Sequence, residues 1–139
     1  MTEEAYTIVR DRILLSRRSS DAKTEDRPIA EALRRTLLAN EDRCVGMAAN
    51  MIGFNKRIIA FFEDGKCTVL LNPVLLKKEG PYEAEEGCLS LDGTRKVRRY
   101  QKIRVAFETE QFEKRVKTYS EFTAQIVQHE MDHLEGILI

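Results

Sequence analysis

The fold is decided by Gln128-His129-Glu130-Met131-Asp132-His133-Leu134-Glu135-Gly136, a stretch that contains the pattern His-Glu-x-x-His. On a helix, His129 and His133 lie one turn apart on the same face, so their imidazoles can share one metal ion. Glu130 then lies beside that ion without binding it, and its carboxylate can take a proton from water as the water attacks a carbonyl group. The alternative interpretation is a solvated helix that carries two histidines by chance.

The residues before this stretch predict where its helix begins and which face it buries. Thr118 and Glu121 have the spacing of a capping box, which marks a helix start. The apolar residues Phe122 and Ile126 fall on the same stripe as the two histidines, so both imidazole rings are predicted to point inward. Gly136 marks the end of the helix. A buried pair of histidines favours the metal site over the solvated helix.

A catalytic metal site needs a third protein ligand, and the chain has no histidine besides these two. The best candidate is Cys88 in Glu86-Gly87-Cys88-Leu89-Ser90, because the small Gly87 lets the backbone approach closely and a thiolate completes a Cys-His-His set. On spacing alone, Cys44 and Cys67 compete with it. Cys67 begins an apolar strand and is interpreted as a core residue. Cys44 is left as either a packing residue or a neighbour of the site.

The rest of the chain predicts an α+β fold of antiparallel strands packed around the C-terminal helix, with an amphipathic helix near the amino end. That helix is predicted over 28–40, and the charged residues up to about 27 indicate a mobile loop. Asp64-Gly65 is a strong signal for a hairpin turn between two strands. Strands are predicted from β-branched, aromatic or alternating residues at 57–62, 67–74, 102–109 and 114–119.

Composition predicts one domain spanning residues 1–139, with 42 % hydrophobic and 33 % charged residues. The 23 basic and 23 acidic residues cancel, which argues against nucleic acid as a direct partner; the basic cluster at 95–99 is interpreted as a solvated loop or strand face. No apolar run approaches the roughly 20 residues that cross a membrane. The acidic start lacks a signal-peptide pattern, and three cysteines are an odd number, so a cytoplasmic location is expected.

With these motifs the chain resembles the peptide deformylase family, from about residue 8 onward. The family has three motifs in a set order. The second is complete at 86–90 and the third at 128–136. The first, Gly-x-Gly-Leu-Ala-Ala-x-Gln in the family, corresponds to 44–51, where Cys44 replaces the first glycine and Met51 replaces the glutamine.

The resemblance implies hydrolysis of the N-formyl group from nascent polypeptides that begin with formyl-methionine, with release of formate. It implies one divalent metal ion, Fe²⁺ first and Zn, Ni or Co as alternatives, on Cys88, His129 and His133. Glu130 would be the general base. It also implies a monomer that meets its N-formylmethionyl peptide substrate at the ribosome.

The resemblance also assigns the oxyanion and substrate contacts. Leu89 would offer its N–H to the oxyanion, and Met51 occupies the position of the glutamine that binds the same oxygen in the family. Glu86 would pair with Arg99 or Arg98. The implied substrate-binding residues are Val45, Gly46, Met47, Gly87 and Ile126, with Met47, Ile126 and His129 around the methionine side chain.

Two other functions stay open on the sequence. The first is a protein derived from the enzyme that keeps the metal and the peptide groove but has little or no turnover, because Met51 cannot donate a hydrogen bond. The second is another amide or peptide hydrolase that activates water in the same way. The cysteine-bearing second motif argues against that hydrolase.

Overall fold

The computed structural model describes residues 6–139. The first five residues of the predicted mobile opening lie outside the described residues. Two short 3-10 helices, Thr24–Asp26 and Ala49–Ile52, accompany the longer elements. Along the described chain, the helices and strands are α1 Arg12–Leu15, α2 Arg27–Ala39, β1 Gly46–Ala48, β2 Ile58–Glu63, β3 Lys66–Cys88, β4 Leu91–Glu108, β5 Lys114–Ser120 and α3 Glu121–Leu134.

Within residues 6–139 the strands form one five-stranded antiparallel sheet in the order β1-β2-β3-β4-β5. The turn between β2 and β3 is the predicted Asp64-Gly65 pair, with φ of 51° and 79°. Positive φ at both central residues is the geometry of a type I′ turn, which matches the twist of the strands on either side. The α+β prediction of antiparallel strands and a C-terminal helix is therefore confirmed.

The sheet is sandwiched between α2 and α3, and β2 shows this most clearly. Ile58 and Ala60 face a core cluster that includes Leu33 and Leu37 of α2. Ile59 and Phe61 face the other way, into a cluster that includes Val127 and Leu134 of α3. Because successive side chains of a strand point to opposite faces, an unbroken apolar strand is what a two-sided core requires.

A side-chain amide fixes α3 to the sheet. Gln128 accepts a hydrogen bond from Tyr100 N–H at 2.9 Å through Oε1 and donates to Tyr100 C=O at 2.9 Å through Nε2. Tyr100 lies in β4 just beyond the stretch that pairs with β5, which starts at Lys102. Gln128 therefore pairs with the backbone N–H and C=O of Tyr100 as a neighbouring strand would. The two hydrogen bonds also fix the rotation of α3 relative to the sheet.

The strands β3 and β4 are much longer than predicted, because they continue as a hairpin through 75–101. This part is charged on both strands and has no simple apolar alternation, so periodicity misses it. Opposite charges face each other across it, as Glu83 does Arg98 and Glu85 does Lys96, and such pairs favour strand pairing. Arg99 in this hairpin is buried, so the prediction of a solvated face is wrong for that residue.

Three local predictions at the helices are wrong. α3 begins at Glu121 after Ser120, which makes no side-chain capping bond, and Thr118 lies in β5; the predicted capping box is therefore absent. Phe122 is 59 % exposed, so it does not share the buried face of Ile126. The opening is more ordered than a loop, since α1 places Leu15 fully in the core. None of the helices between residues 6 and 139 combines the length and the apolar character of a membrane span.

Candidate metal centre and active-site cleft

Three side chains converge where the end of β3 meets α3. Cys88 Sγ lies 3.4 Å from Nε2 of His133, and the Nε2 atoms of His133 and His129 are 3.2 Å apart. All three donor atoms lie within 4.8 Å of one another, and both histidines are buried. The pair of histidines comes from one helical face, and the thiol comes from the last residue of a strand. These are the three residues that the sequence predicts as metal ligands.

This donor set fits a divalent transition metal. A thiolate with two imidazoles is a combination that iron, zinc, nickel and cobalt accept. Burial is the main cause that lowers the pKa of His133, to about 3, so its imidazole is neutral as a ligand must be. The other two cysteines lie outside the group. Cys67 packs against the α2 core, as predicted, and Cys44 lines the cleft beside the group.

Glu86 contacts His129 at Nδ1, the ring nitrogen that does not face the other two donor atoms. Its Oε1 lies 2.8 Å from Nδ1 of His129, and Arg99 donates to both of its oxygens, at 2.7 Å from Nη2 and 2.9 Å from Nε. Gln125 donates to Oε2 at 2.9 Å. Burial alone would raise the pKa of Glu86, but the hydrogen bonds from His129, Arg99 and Gln125 lower it to about 2. A carboxylate on Nδ1 leaves Nε2 of His129 directed at the other two donors.

Arg99, and not Arg98, is therefore the partner of Glu86. Arg99 also donates to Asp132 Oδ2 at 2.7 Å through Nη1. Asp132 belongs to α3, so the guanidinium ties the β3–β4 hairpin to the helix that carries the histidines. The sequence reasoning named neither Asp132 nor Gln125 as part of this network, because neither role has a spacing signal of its own.

Glu130 lies beside the three donors and is buried. Its Oε1 has no hydrogen-bond partner among the described residues. Burial raises its pKa to about 7, partly offset by the nearby His129. A carboxylate with a pKa near neutral is suited to accept and return a proton at physiological pH.

Gly46 allows the backbone of β1 to lie against this carboxylate. A Cβ at that position would be 2.9 Å from Glu130 Oε2 and 2.7 Å from Ile126 Cγ2, and Cβ atoms in proteins do not approach other heavy atoms this closely. The first motif thus meets α3 at a point where any larger residue would displace Ile126 or Glu130.

An open cleft of about 710 Å³ leads to the site between the loop after α2, the end of β3 and α3. Most of the predicted site residues line it, and the mouth carries the exposed side chains of Val45 and Phe122. The predicted residues in its wall are Val45, Gly46, Met51, Gly87, Cys88, Leu89, Ile126, His129 and Glu130.

Of the predicted site residues, the metal-ligand candidate His133 and Met47 do not line the wall of the cleft, and both are fully buried. Gly46 and Ala48 face α3, whereas Met47 between them is fully buried in the core on the α2 side. This follows from the alternation of side chains along β1. The residue supports the cleft from below.

The 3-10 helix that follows β1 carries a thioether, that of Met51, at the position where the resemblance implies a glutamine. Met51 is buried, and its Sδ accepts a hydrogen bond from Ala48 N–H at 3.4 Å. The adjacent Asn50, which sequence reasoning missed, donates through Nδ2 to the carbonyl of His133 at 2.9 Å. The signal available in the sequence was the single amide, Asn50, within the otherwise apolar run 47–52. Asn50 ties the first motif to the helix of the third.

Comparisons with known proteins agree with this geometry. The profile of the family described as polypeptide deformylase matches residues 7–139, and the chain belongs to that family. A peptide deformylase of Clostridium beijerinckii is 49 % identical over 132 residues, which cover 95 % of this chain and 97 % of the relative. A peptide deformylase of Thermus thermophilus is 35 % identical over 128 residues, with 79 % of this chain and 66 % of the relative covered.

Solved structures show the same fold. The crystal structure of a peptide deformylase from Thermus thermophilus has a TM-score of 0.86 at 34 % identity, covering 96 % of this chain and 83 % of that one. The class I type b peptide deformylase of Acinetobacter baumannii, with Met-Ala-Ser bound, has a TM-score of 0.88 at 28 % identity, covering 99 % and 97 %.

Family membership carries a deformylase function, which is that of a metallohydrolase. It also implies a divalent metal, which the Cys-His-His group could hold. The comparisons do not favour the alternative of a binding protein without turnover.

Proposed function

We propose that residues 1–139 work as a single deformylase domain, which removes the formyl group from N-formylmethionyl peptides and releases formate. One arrangement carries the proposal: three donor atoms lie within 4.8 Å of one another in an open cleft, beside a buried carboxylate, one oxygen of which has no hydrogen-bond partner in the part of the chain that the structure describes.

Cys88, His129 and His133 would hold the metal ion, with Fe²⁺ as the proposed native ion and zinc, nickel or cobalt as alternatives of matching chemistry. When bound, such a cation supplies Lewis-acid chemistry and makes water more acidic. Burial lowers the pKa of His129, but its hydrogen bonds with Cys88 and Glu86 raise it to about 10, so metal binding would displace a proton from this ligand. Glu86 orients His129, and the buried neutral His133 needs no proton removed at neutral pH.

Glu130 performs the proton transfers. Its carboxylate takes a proton from water as the water oxygen adds to the formyl carbon. As the bond between that carbon and the nitrogen of methionine breaks, Glu130 returns the proton to the departing amine. Water and formamide thereby become formate and a free amino terminus. A pKa of about 7 lets one group serve as base and then as acid.

Leu89 supports the charge that develops on the formyl oxygen. Its N–H, at the turn between β3 and β4, is the proposed oxyanion donor. Met51 lines the same cleft but offers no donor, since a thioether has only lone pairs. Turnover below that of an enzyme with an amide at this position is therefore expected.

The peptide would bind along β1, which is one of the two edge strands of the sheet in the described residues. The backbone of Val45 and Gly46 on one side and of Gly87 on the other can accept an extended peptide as an added strand. Ile126 and His129 would border the methionine side chain, whereas Met47 lies in the core on the other face of β1. The Acinetobacter baumannii relative with bound Met-Ala-Ser supports a tripeptide as the minimal probe.

The expected setting is the cytoplasm, where the chain would act as a monomer on nascent peptides at the ribosome. The balance of 23 basic and 23 acidic residues supports contact through the peptide rather than through nucleic acid. Its three free cysteines suit a reducing compartment.

The test is formate release from formyl-Met-Ala-Ser by protein purified without oxygen and loaded with ferrous iron or nickel. Glu130→Ala at equal metal content is the blank, and acetyl-Met-Ala-Ser tests selectivity for the formyl group. Release from the formyl peptide alone, above the blank, supports the proposal. Tight peptide binding with no release would instead favour the binding protein.

A further inference from the structure

The segment before α1 touches both motifs that surround the formyl group in the proposed function. Val9 N–H donates to the carbonyl of Met51 at 2.7 Å. The next residue, Arg10, donates through Nη1 to the carbonyl of Leu89 at 2.8 Å. Its Nη2 lies 2.5 Å from Oδ1 of Asp92. Two consecutive residues thus connect the loop of the first motif to the turn of the second.

The turn that Arg10 holds is a tight one. Cys88 pairs with Leu91, so Leu89 and Ser90 are the two central residues between β3 and β4. Turn types differ mainly in the rotation of the peptide that joins these two residues. Arg10 donates to the carbonyl of that peptide, which is the carbonyl of Leu89. This hydrogen bond restrains the rotation of the peptide and therefore the backbone of Leu89, whose N–H is the proposed oxyanion donor.

The second partner of Arg10 is Asp92, which follows the turn in β4. Asp92 lies where β4 departs from regular pairing, because the register shifts between Gly87 and Cys88. Its backbone carbonyl also accepts a hydrogen bond from Arg95 at 2.7 Å. The guanidinium of Arg10 therefore has two acceptors, one in the turn and one in the irregular stretch that follows it.

We propose that Arg10 is a positioning residue for the reaction: through the Leu89 carbonyl and Asp92 it fixes the turn that aims the Leu89 N–H at the formyl oxygen. This inference rests on the proposed deformylase function. The position of the Leu89 N–H matters more in this chain than in an enzyme with glutamine at position 51. Because Met51 cannot donate a hydrogen bond, the Leu89 N–H must supply more of the oxyanion stabilisation.

The exposure of the pair separates positioning from simple stabilisation. The side chains of Arg10 and Asp92 are 52 % and 96 % exposed. Ion pairs of this kind contribute little to folding stability because water and salt screen them. Removing the guanidinium should therefore leave the fold intact and alter the turn.

The test compares Arg10→Ala, Arg10→Lys, Asp92→Ala and the double variant Arg10→Ala with Asp92→Ala against a matched control, Arg18→Ala. Arg18 makes an ion pair with Glu135 and is 80 % exposed, so its loss removes a surface pair outside the cleft. Steady-state kinetics on formyl-Met-Ala-Ser are measured at equal metal content. Amide chemical shifts of the zinc-loaded proteins report on the turn directly.

Arg10→Ala should lower kcat about tenfold, less than the loss of an oxyanion donor altogether, with KM changed by less than about twofold. Arg10→Lys should recover part of that loss, and Asp92→Ala should add little to Arg10→Ala, because both act on one contact. The amides of Leu89 and Ser90 should shift in Arg10→Ala and stay in place in Arg18→Ala.

Wild-type kcat in Arg10→Ala, or a fall matched by Arg18→Ala, would overturn the inference. So would a fall accompanied by lost metal or a lower melting temperature, since that is a structural role. Failure of the proposed function looks different: the wild type itself would release no formate above the Glu130→Ala blank.

Discussion

Oε1 of Glu86 lies 2.8 Å from Nδ1 of His129, at the centre of a buried network that Arg99 and Gln125 complete. The carboxylate is therefore the link between the β3–β4 hairpin and the histidine helix. It fixes which nitrogen of His129 is free for a metal.

Glu86→Gln should weaken metal binding by about tenfold or more, because an amide is a poorer acceptor for Nδ1–H than a carboxylate. It should also lower the free energy of unfolding by about 2 to 3 kcal/mol, since Arg99 loses a buried charged partner. Metal competition with a chelator and denaturant unfolding measure the two effects.

The control for this substitution is Glu85→Gln, the exposed neighbour on the same strand, whose carboxylate accepts a hydrogen bond from Thr94. Metal affinity should not change there. Equal affinity of Glu86→Gln and the wild type would show that the network does not orient the ligand.

Met51→Gln should raise formate release at fixed metal content, by up to about 10², because it restores an amide donor where the oxyanion forms. The new side chain enters a buried position, so some loss of stability is expected as well. Initial rates on formyl-Met-Ala-Ser are the measurement.

The matched control is Met131→Gln, which places the same side chain on α3 away from the cleft. It should leave the rate as it is. An unchanged or lower rate in Met51→Gln would mean that the thioether is not the limiting defect of the site.

Gly46→Ala should destabilise the protein by about 1 to 3 kcal/mol and remove most activity, because its Cβ would lie 2.7 Å from Ile126 and 2.9 Å from Glu130. Moving Glu130 to relieve the contact misplaces the proposed base. Unfolding curves and formate assays test both parts.

Gly87→Ala is the useful comparison for stability, because its nearest neighbour would be Gly93 O at an ordinary 3.4 Å. The two substitutions add the same methyl group in the same cleft. Similar stability of the two variants would contradict the close packing of β1 against α3.

The centre of the site was predictable from sequence because its chemistry is local. His129, Glu130 and His133 are set by one helical turn, and Cys88 completes a ligand count that the two histidines leave short. Short-range signals also predict β2, its turn and β5, since alternation and turn residues act over a few positions.

The parts that sequence reasoning missed depend on distant partners. The extension of the β3–β4 hairpin is stabilised by cross-strand charges whose pairing is visible only once the register is known. Arg99 looks like a surface residue among other basic side chains, and it is buried because Glu86 and Asp132 neutralise it. Phe122 shows the converse error, since it falls on the apolar stripe of α3 but is exposed.

Cys44 should react slowly with iodoacetamide at pH 8, although it lines the open cleft. Burial, with the negative charges of Glu130 and Cys88, raises its pKa to about 11, so only about one thiol in a thousand is ionised at that pH. Because the thiolate is the nucleophile, the rate should climb steadily as pH increases from 8 toward 11. Mass spectrometry of the modified peptide measures it, with Cys44→Ser to assign the signal. A fast reaction at pH 8 that levels off below pH 9 would show that the thiol is not held in its neutral form.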